Sequence, residues 1–144
     1  MKAKALAVKA ALGTAFAAAI VLAPHADAAT VKTTTAACTA GTFKGNISLK
    51  YETTGGYQVP VSATMAGGPY IGDYNQLKLD IYYLKDGVKV TVHTRRLAGT
   101  IPAKVTWQIP DSAEIPATAE SYASATFTSG IGGSPLCAAK AEIK

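Results

Sequence analysis

The residues most able to do chemistry in this chain are His93 and the carboxylates that could reach it. If His93 lies on a strand returning from a two-residue turn at Asp86-Gly87, it falls opposite Asp80. An aspartate can orient an imidazole for base catalysis, so a small hydrolase using His93 and Asp80 is one reading. Little else supports it. There is no Gly-x-Ser-x-Gly elbow, no glycine-rich phosphate cradle leading into a helix and no calcium loop of alternating acids. Asp86 and Asp111 sit in turn contexts, and Glu142 alternates with Lys140 and Lys144. An Asp–His pair across a hairpin is also an ordinary surface contact. The chain is therefore expected to be non-catalytic, without a cofactor. Two cysteines and two histidines are too few for a closed zinc site once His25 is assigned to an export leader, so no metal is expected.

Two surfaces suggest binding instead. The first is the loop Ala66 to Asn75, in which glycines permit unusual backbone angles and Tyr70 and Tyr74 flank Asp73. Tyrosine offers a large amphipathic area with few rotors, as binding loops use it. The second is the outer face of the hairpin centred on Asp86-Gly87. In the simplest register Lys78, Tyr82 and Leu84 lie opposite Arg95, Thr91 and Lys89. A lysine facing an arginine costs a little stability and hints at an anionic partner such as a cell-surface polymer. The candidate binding residues are thus Tyr70, Asp73, Tyr74, Lys78, Tyr82, Lys89, His93 and Arg95. Nucleic acid is disfavoured, because basic and aromatic residues do not interleave beyond Tyr82.

These residues belong to a chain of 144 residues with a formal charge of +5, of which 49% are hydrophobic and 16% charged. That composition excludes a disordered polyelectrolyte. Residues 1–28 have the form of a secretory signal peptide. Lys2, Lys4 and Lys9 precede an apolar run from Ala10 to Ala23, and Pro24 precedes the small-x-small site Ala26-Asp27-Ala28. The run falls short of the roughly 20 residues needed to span a bilayer, which favours a cleaved leader over an anchor, and nothing later in the sequence resembles a transmembrane helix, so no membrane span is expected after its removal. Cleavage after residue 28 of 144 leaves 116 residues, and the loss of Lys2, Lys4, Lys9 and Asp27 lowers the charge from +5 to +3. The expected protein is secreted and extracellular, with the alanine- and threonine-rich texture of a bacterial export. Residues 29–144 are expected to form one domain.

An oxidising route with two cysteines implies one disulfide, Cys38–Cys137, joining the two ends of the mature chain. Between them the sequence alternates with period two. Phe43, Ile47, Leu49 and Tyr51 share a face, as do Tyr57, Val59, Val61, Ala63 and Met65, and Leu77, Leu79, Ile81 and Tyr83. Pro60 cannot donate to a ladder and places its strand at an edge or a bulge. With Asp86-Gly87 as the turn, Tyr83 should face Val90, Ile81 should face Val92 and Leu79 should face Thr94. Val105, Trp107 and Ile109 form a shorter strand, residues 117–128 alternate weakly, and Asp111 to Ile115 could form one helical turn. Cys137 to Ile143 gives a last strand, and Val31 to Cys38 could add a first.

The expected fold is all-β, an antiparallel β-sandwich of about seven to eight short strands, with a small β-barrel as the alternative. It is immunoglobulin-like by analogy only, since Trp107 does not sit midway between sheet-bridging cysteines. The expected function is a non-catalytic binding or interaction module at or outside the cell surface, with a protein or an anionic cell-surface polymer as partner. A secreted protease inhibitor or antimicrobial protein is the alternative, with Leu97 to Ala103 or Gly130 to Pro135 as an exposed loop.

Overall fold

The computed structural model describes residues 28–68, 74–129 and 134–144, with backbone alone for Tyr74 and Asn75. The leader expected at 1–28 lies outside the described residues except for Ala28, as do Tyr70, Asp73 and most of the loop at 130–135. The described residues form nine strands and no helix: β1 (Thr30–Ala40), β2 (Phe43–Thr54), β3 (Tyr57–Gly68), β4 (Tyr74–Lys85), β5 (Val88–Ala98), β6 (Lys104–Gln108), the two-residue β7 (Ile115–Pro116), β8 (Ser121–Ser129) and β9 (Pro135–Ile143). They make two antiparallel sheets. The first has the order β1-β2-β3-β6, with β7 also paired to β3, and the second has the order β5-β4-β8-β9.

Period-two alternation decides which side of each strand is buried. Phe43, Ile47, Leu49 and Tyr51 of β2 and Leu77, Leu79 and Ile81 of β4 all lie in one core. The inner positions of β8 and β9 are mostly small, with Ala123, Ala125, Ala139 and Ala141 all buried. Ile143 is larger, and Phe127 is larger still. Its ring meets Phe43 edge-on at 5.4 Å. It also fills a notch at Gly45, where a Cβ atom would lie 2.5 Å from the ring. Glycine is required there by the close approach, not by backbone angle.

The turn chemistry behaves as the sequence predicts. Asp86 has φ of 53° and Gly87 has φ of 77°, as a two-residue hairpin turn needs. Tyr83 faces Val90, Tyr82 faces Thr91 and Leu84 faces Lys89. Beyond that point the expected register fails. A β-bulge leaves Val92 without a partner, so Ile81 faces His93 and not Val92, and Leu79 faces Arg95 and not Thr94. The extra residue exchanges the faces of everything that follows it on β5.

A second bulge corrects the face expected for β3. Tyr51 pairs with Pro60 and Lys50 with Ser62, leaving Val61 over. Gln58 and Pro60 are therefore buried, while Tyr57 is exposed. Pro60 is tolerated within an inner strand because it falls at this bulge, between the stretches of β3 paired with β7 and with β6. The segment expected as a helical turn at 111–115 instead turns at Asp111-Ser112, with the Ala113 amide donating to the Pro110 carbonyl at 3.0 Å, and enters β7 at Ile115.

The two lateral sides of the sheet pair are joined differently. On one, β1 and β9 are linked by the Cys38–Cys137 disulfide, with Cα atoms 5.8 Å apart. The Thr34 hydroxyl donates to the Glu142 carbonyl at 2.7 Å beside it. The Tyr51 hydroxyl donates to the carbonyl of Lys144 and accepts from its amide. On the other side, the Arg95 guanidinium of β5 lies over the Trp107 ring of β6, 4.9 Å from its centroid.

Candidate functional site

The residues that the sequence grouped as one basic hairpin face are divided by the β5 bulge. Cross-strand partners share a face. His93 and Arg95, opposite the buried Ile81 and Leu79, therefore turn to the inner side of the sheet. Asp80 stays on the outer side, opposite Thr94, whose hydroxyl donates to its carboxylate at 2.8 Å. The expected Asp80–His93 pair does not form, because the two residues occupy opposite faces of their sheet. His93 instead has a buried Nε2 without a hydrogen-bond partner, and burial together with the Arg95 charge holds its pKa below the ordinary value. The expected Lys78–Arg95 pairing is also replaced, by Lys78 opposite Arg96. Among the described residues no group of three histidine, cysteine, aspartate or glutamate side chains could hold a metal ion.

What remains outside is joined by residues from the far end of the chain. β8 lies between β4 and β9, so Tyr82 stands directly opposite Tyr122. Their ring centroids are 5.7 Å apart, with planes inclined at 36°. Lys89 projects from β5, one diagonal step from Tyr82, and its ammonium lies 4.3 Å from that ring's centroid. Lys140 projects from β9, diagonal to Tyr122, and its ammonium lies 3.8 Å from that centroid and 6.0 Å from the Tyr82 centroid. Two tyrosines thus form the floor of an open sheet face, with an ammonium group held over each by attraction to the ring's negative π cloud.

The carboxylates of this face are each engaged by groups other than Lys89 and Lys140. Asp80 pairs with Lys78 at 2.9 Å. Burial pushes its pKa up, but the bonds from Lys78 and Thr94 and the charges of Lys78 and Lys89 outweigh that, so it stays below the usual aspartate value. Glu142 pairs with Lys144 at 3.2 Å. Glu120 accepts the hydroxyl of Tyr122, and this bond leads the causes that push that phenol up to about 12. Among the described residues Lys89 and Lys140 have no carboxylate in ion-pair contact.

Of the residues expected from sequence, Tyr82 and Lys89 therefore come together and Lys78 shares their face, paired with Asp80, while His93 and Arg95 leave the group. Tyr74 opens β4 opposite Ser129, and Tyr70 and Asp73 lie outside the described residues. Tyr122, Lys140 and Glu120 were missed. The odd spacing of Tyr122 from the buried Phe127 would have put it outside, but nothing local shows that β8 adjoins β4. The loop at Leu97 to Ala103 is also less open than expected, since Leu97 packs on the core and Ile101 is buried. Comparison of the chain with protein-family models, curated proteins and solved structures gives no match.

Proposed function

We propose that this protein is a small exported β-sandwich, freed of residues 1–28 by signal cleavage, that acts as a non-catalytic binding module at or outside the cell surface. Its ligand is an anionic polymer, bound on the outer face of the β5-β4-β8-β9 sheet. The observation that carries this reading is the pair of ammonium groups, Lys89 and Lys140, held over Tyr82 and Tyr122 with no carboxylate in ion-pair contact. A lysine ordered on an aromatic ring has already lost much of its rotamer freedom, so an anion meeting it loses less on binding. A disulfide between terminal strands suits a protein that works outside the cell, where small domains use such bonds to hold together. The analogy with immunoglobulin-like sandwiches goes no further than two antiparallel sheets around one core.

The test is retention of the purified protein on anionic polymer beads at low salt and at about 0.15 M salt. Retention that weakens with salt, and is largely abolished by Lys89→Gln with Lys140→Gln, is expected. Passage through the beads at low salt, or unchanged retention of the double variant, would sink the reading.

A further inference from the structure

Resting on the reading that this face takes an anionic polymer, we infer that the polymer is a polysaccharide bearing sugar carboxylates. Its rings lie along the Tyr82–Tyr122 pair, and its carboxylates meet Lys89 and Lys140. The ring pair supplies the first reason. Neighbouring aromatic rings 5.7 Å apart on an open sheet give an apolar strip edged by polar groups. The C–H face of a pyranose is apolar and slightly positive, so it can take the place over each ring that an ammonium holds in the free protein, as Lys89 and Lys140 turn to the acid groups. A polyanion without rings makes no use of this strip.

The second reason is the alternation of charge around the tyrosines. Glu120 lies beside Tyr122 and Glu142 directly opposite it across β8 and β9. A line of phosphates crossing the face would offer these two carboxylates only acceptor oxygens. A saccharide chain carries an acid group on a ring and hydroxyl groups around it. The hydroxyls can donate to Glu120 and Glu142 and exchange hydrogen bonds with Ser124, which lies on the same face opposite Lys140. The acid groups find the two ammonium groups that lack a carboxylate partner. The charge pattern thus fits an acidic sugar better than a nucleic acid, although basic and aromatic residues interleave here more than the sequence alone suggests.

The experiment is a titration of the purified protein at about 0.15 M salt with four probes. Polygalacturonate offers rings and charge, its fully methyl-esterified form offers rings alone, polyglutamate offers charge without rings, and a single-stranded oligothymidylate offers phosphates with bases. The expected result is binding of polygalacturonate at least tenfold tighter than of the other three. Tyr82→Ala with Tyr122→Ala should weaken it at least tenfold, as should Lys89→Gln with Lys140→Gln, with the thermal midpoint of each variant checked beside it. Should the tyrosine double variant not fold, Tyr122→Leu keeps bulk and removes the π face, and should show a loss of the same sign. If polyglutamate or the oligonucleotide bound as tightly as polygalacturonate, or the tyrosine variants bound it unchanged, the sugar assignment would be wrong while the anionic reading stood. If the methyl ester bound equally well, both would fall; if no acidic probe bound at this salt, the sugar assignment would fall and the low-salt bead test would decide the anionic reading.

Discussion

The Arg95 guanidinium lies 4.9 Å from the centroid of the Trp107 ring, joining β5 of one sheet to β6 of the other. It reaches that position because the bulge at Val92 turns Arg95 inward, opposite Leu79. Cation–π contacts of this kind contribute about 0.5–2 kcal/mol, and the aliphatic stem adds packing. Arg95→Ala should therefore lower stability by roughly that amount in urea unfolding. Trp107 is the chain's one tryptophan, so its emission should also change in the folded variant. An unaltered emission spectrum would show that the two side chains do not meet in solution.

Gly45 admits Phe127, since a Cβ there would lie 2.5 Å from the ring, whereas a Cβ at Gly68 would meet nothing within 4 Å. Overpacking a filled core costs about 1–3 kcal/mol. Gly45→Ala should fall in that range in a denaturant melt. Gly68→Ala should stay within about 0.5 kcal/mol of the parent, as surface changes do. Equal effects at the two positions would refute the notch.

The Cys38–Cys137 bond closes a loop with a sequence separation of 99. Loops of that size are worth up to about 4.7 kcal/mol in the chain-entropy view, and measured losses are typically about 2–4 kcal/mol. The double variant Cys38→Ser, Cys137→Ser should lose stability in that range, and reductant should shift the parent's unfolding midpoint but not the variant's. A parent insensitive to reductant would contradict a role for the bond in stability.

Two groups give the protein a pH dependence with distinct windows. His93 is held below its ordinary 6.5, first by burial and then by Arg95. The unfolded chain therefore takes up this proton before the folded one does. The stability due to His93 is intact above pH 6.5, declines as the pH falls from there to the folded pKa, and does not change further below it. Asp80 is held below its ordinary 3.8, because the bonds from Lys78 and Thr94 outweigh the opposing effect of burial. Its contribution is intact above 3.8 and is lost as the pH falls through the folded pKa. Melting curves from pH 8 to pH 3 should show both declines, and His93→Gln should remove the upper one alone. A variant that kept the upper decline would assign it to another group.

Much of the fold is legible in local pattern. The alternation in β2 and β4 predicts which residues are buried, because a strand has only two faces and the apolar side chains must share one. Asp86-Gly87 predicts its turn and the first pairs beyond it, because only residues tolerant of positive φ fit there. The pattern misleads at Val61 and Val92. A bulge adds one residue without altering composition, and it exchanges the faces of all that follows.

The candidate site divides along the same line. Tyr82 and Lys89 can be placed together from sequence because only four residues, with the tight turn Asp86-Gly87 at their centre, separate Leu84 from the return at Lys89. Their partnership with Tyr122 and Lys140 depends on β8 lying between β4 and β9, a pairing across some forty residues that no local signal encodes. Sequence alone thus determined strand character, the turn, and the pairing of the two cysteines, which fall in the first and last strands. Only the tertiary structure decided which strands are neighbours and which side His93 and Arg95 occupy. Neighbour order and bulge position are settled by how two sheets bury their apolar faces against each other, and that is a property of the whole chain.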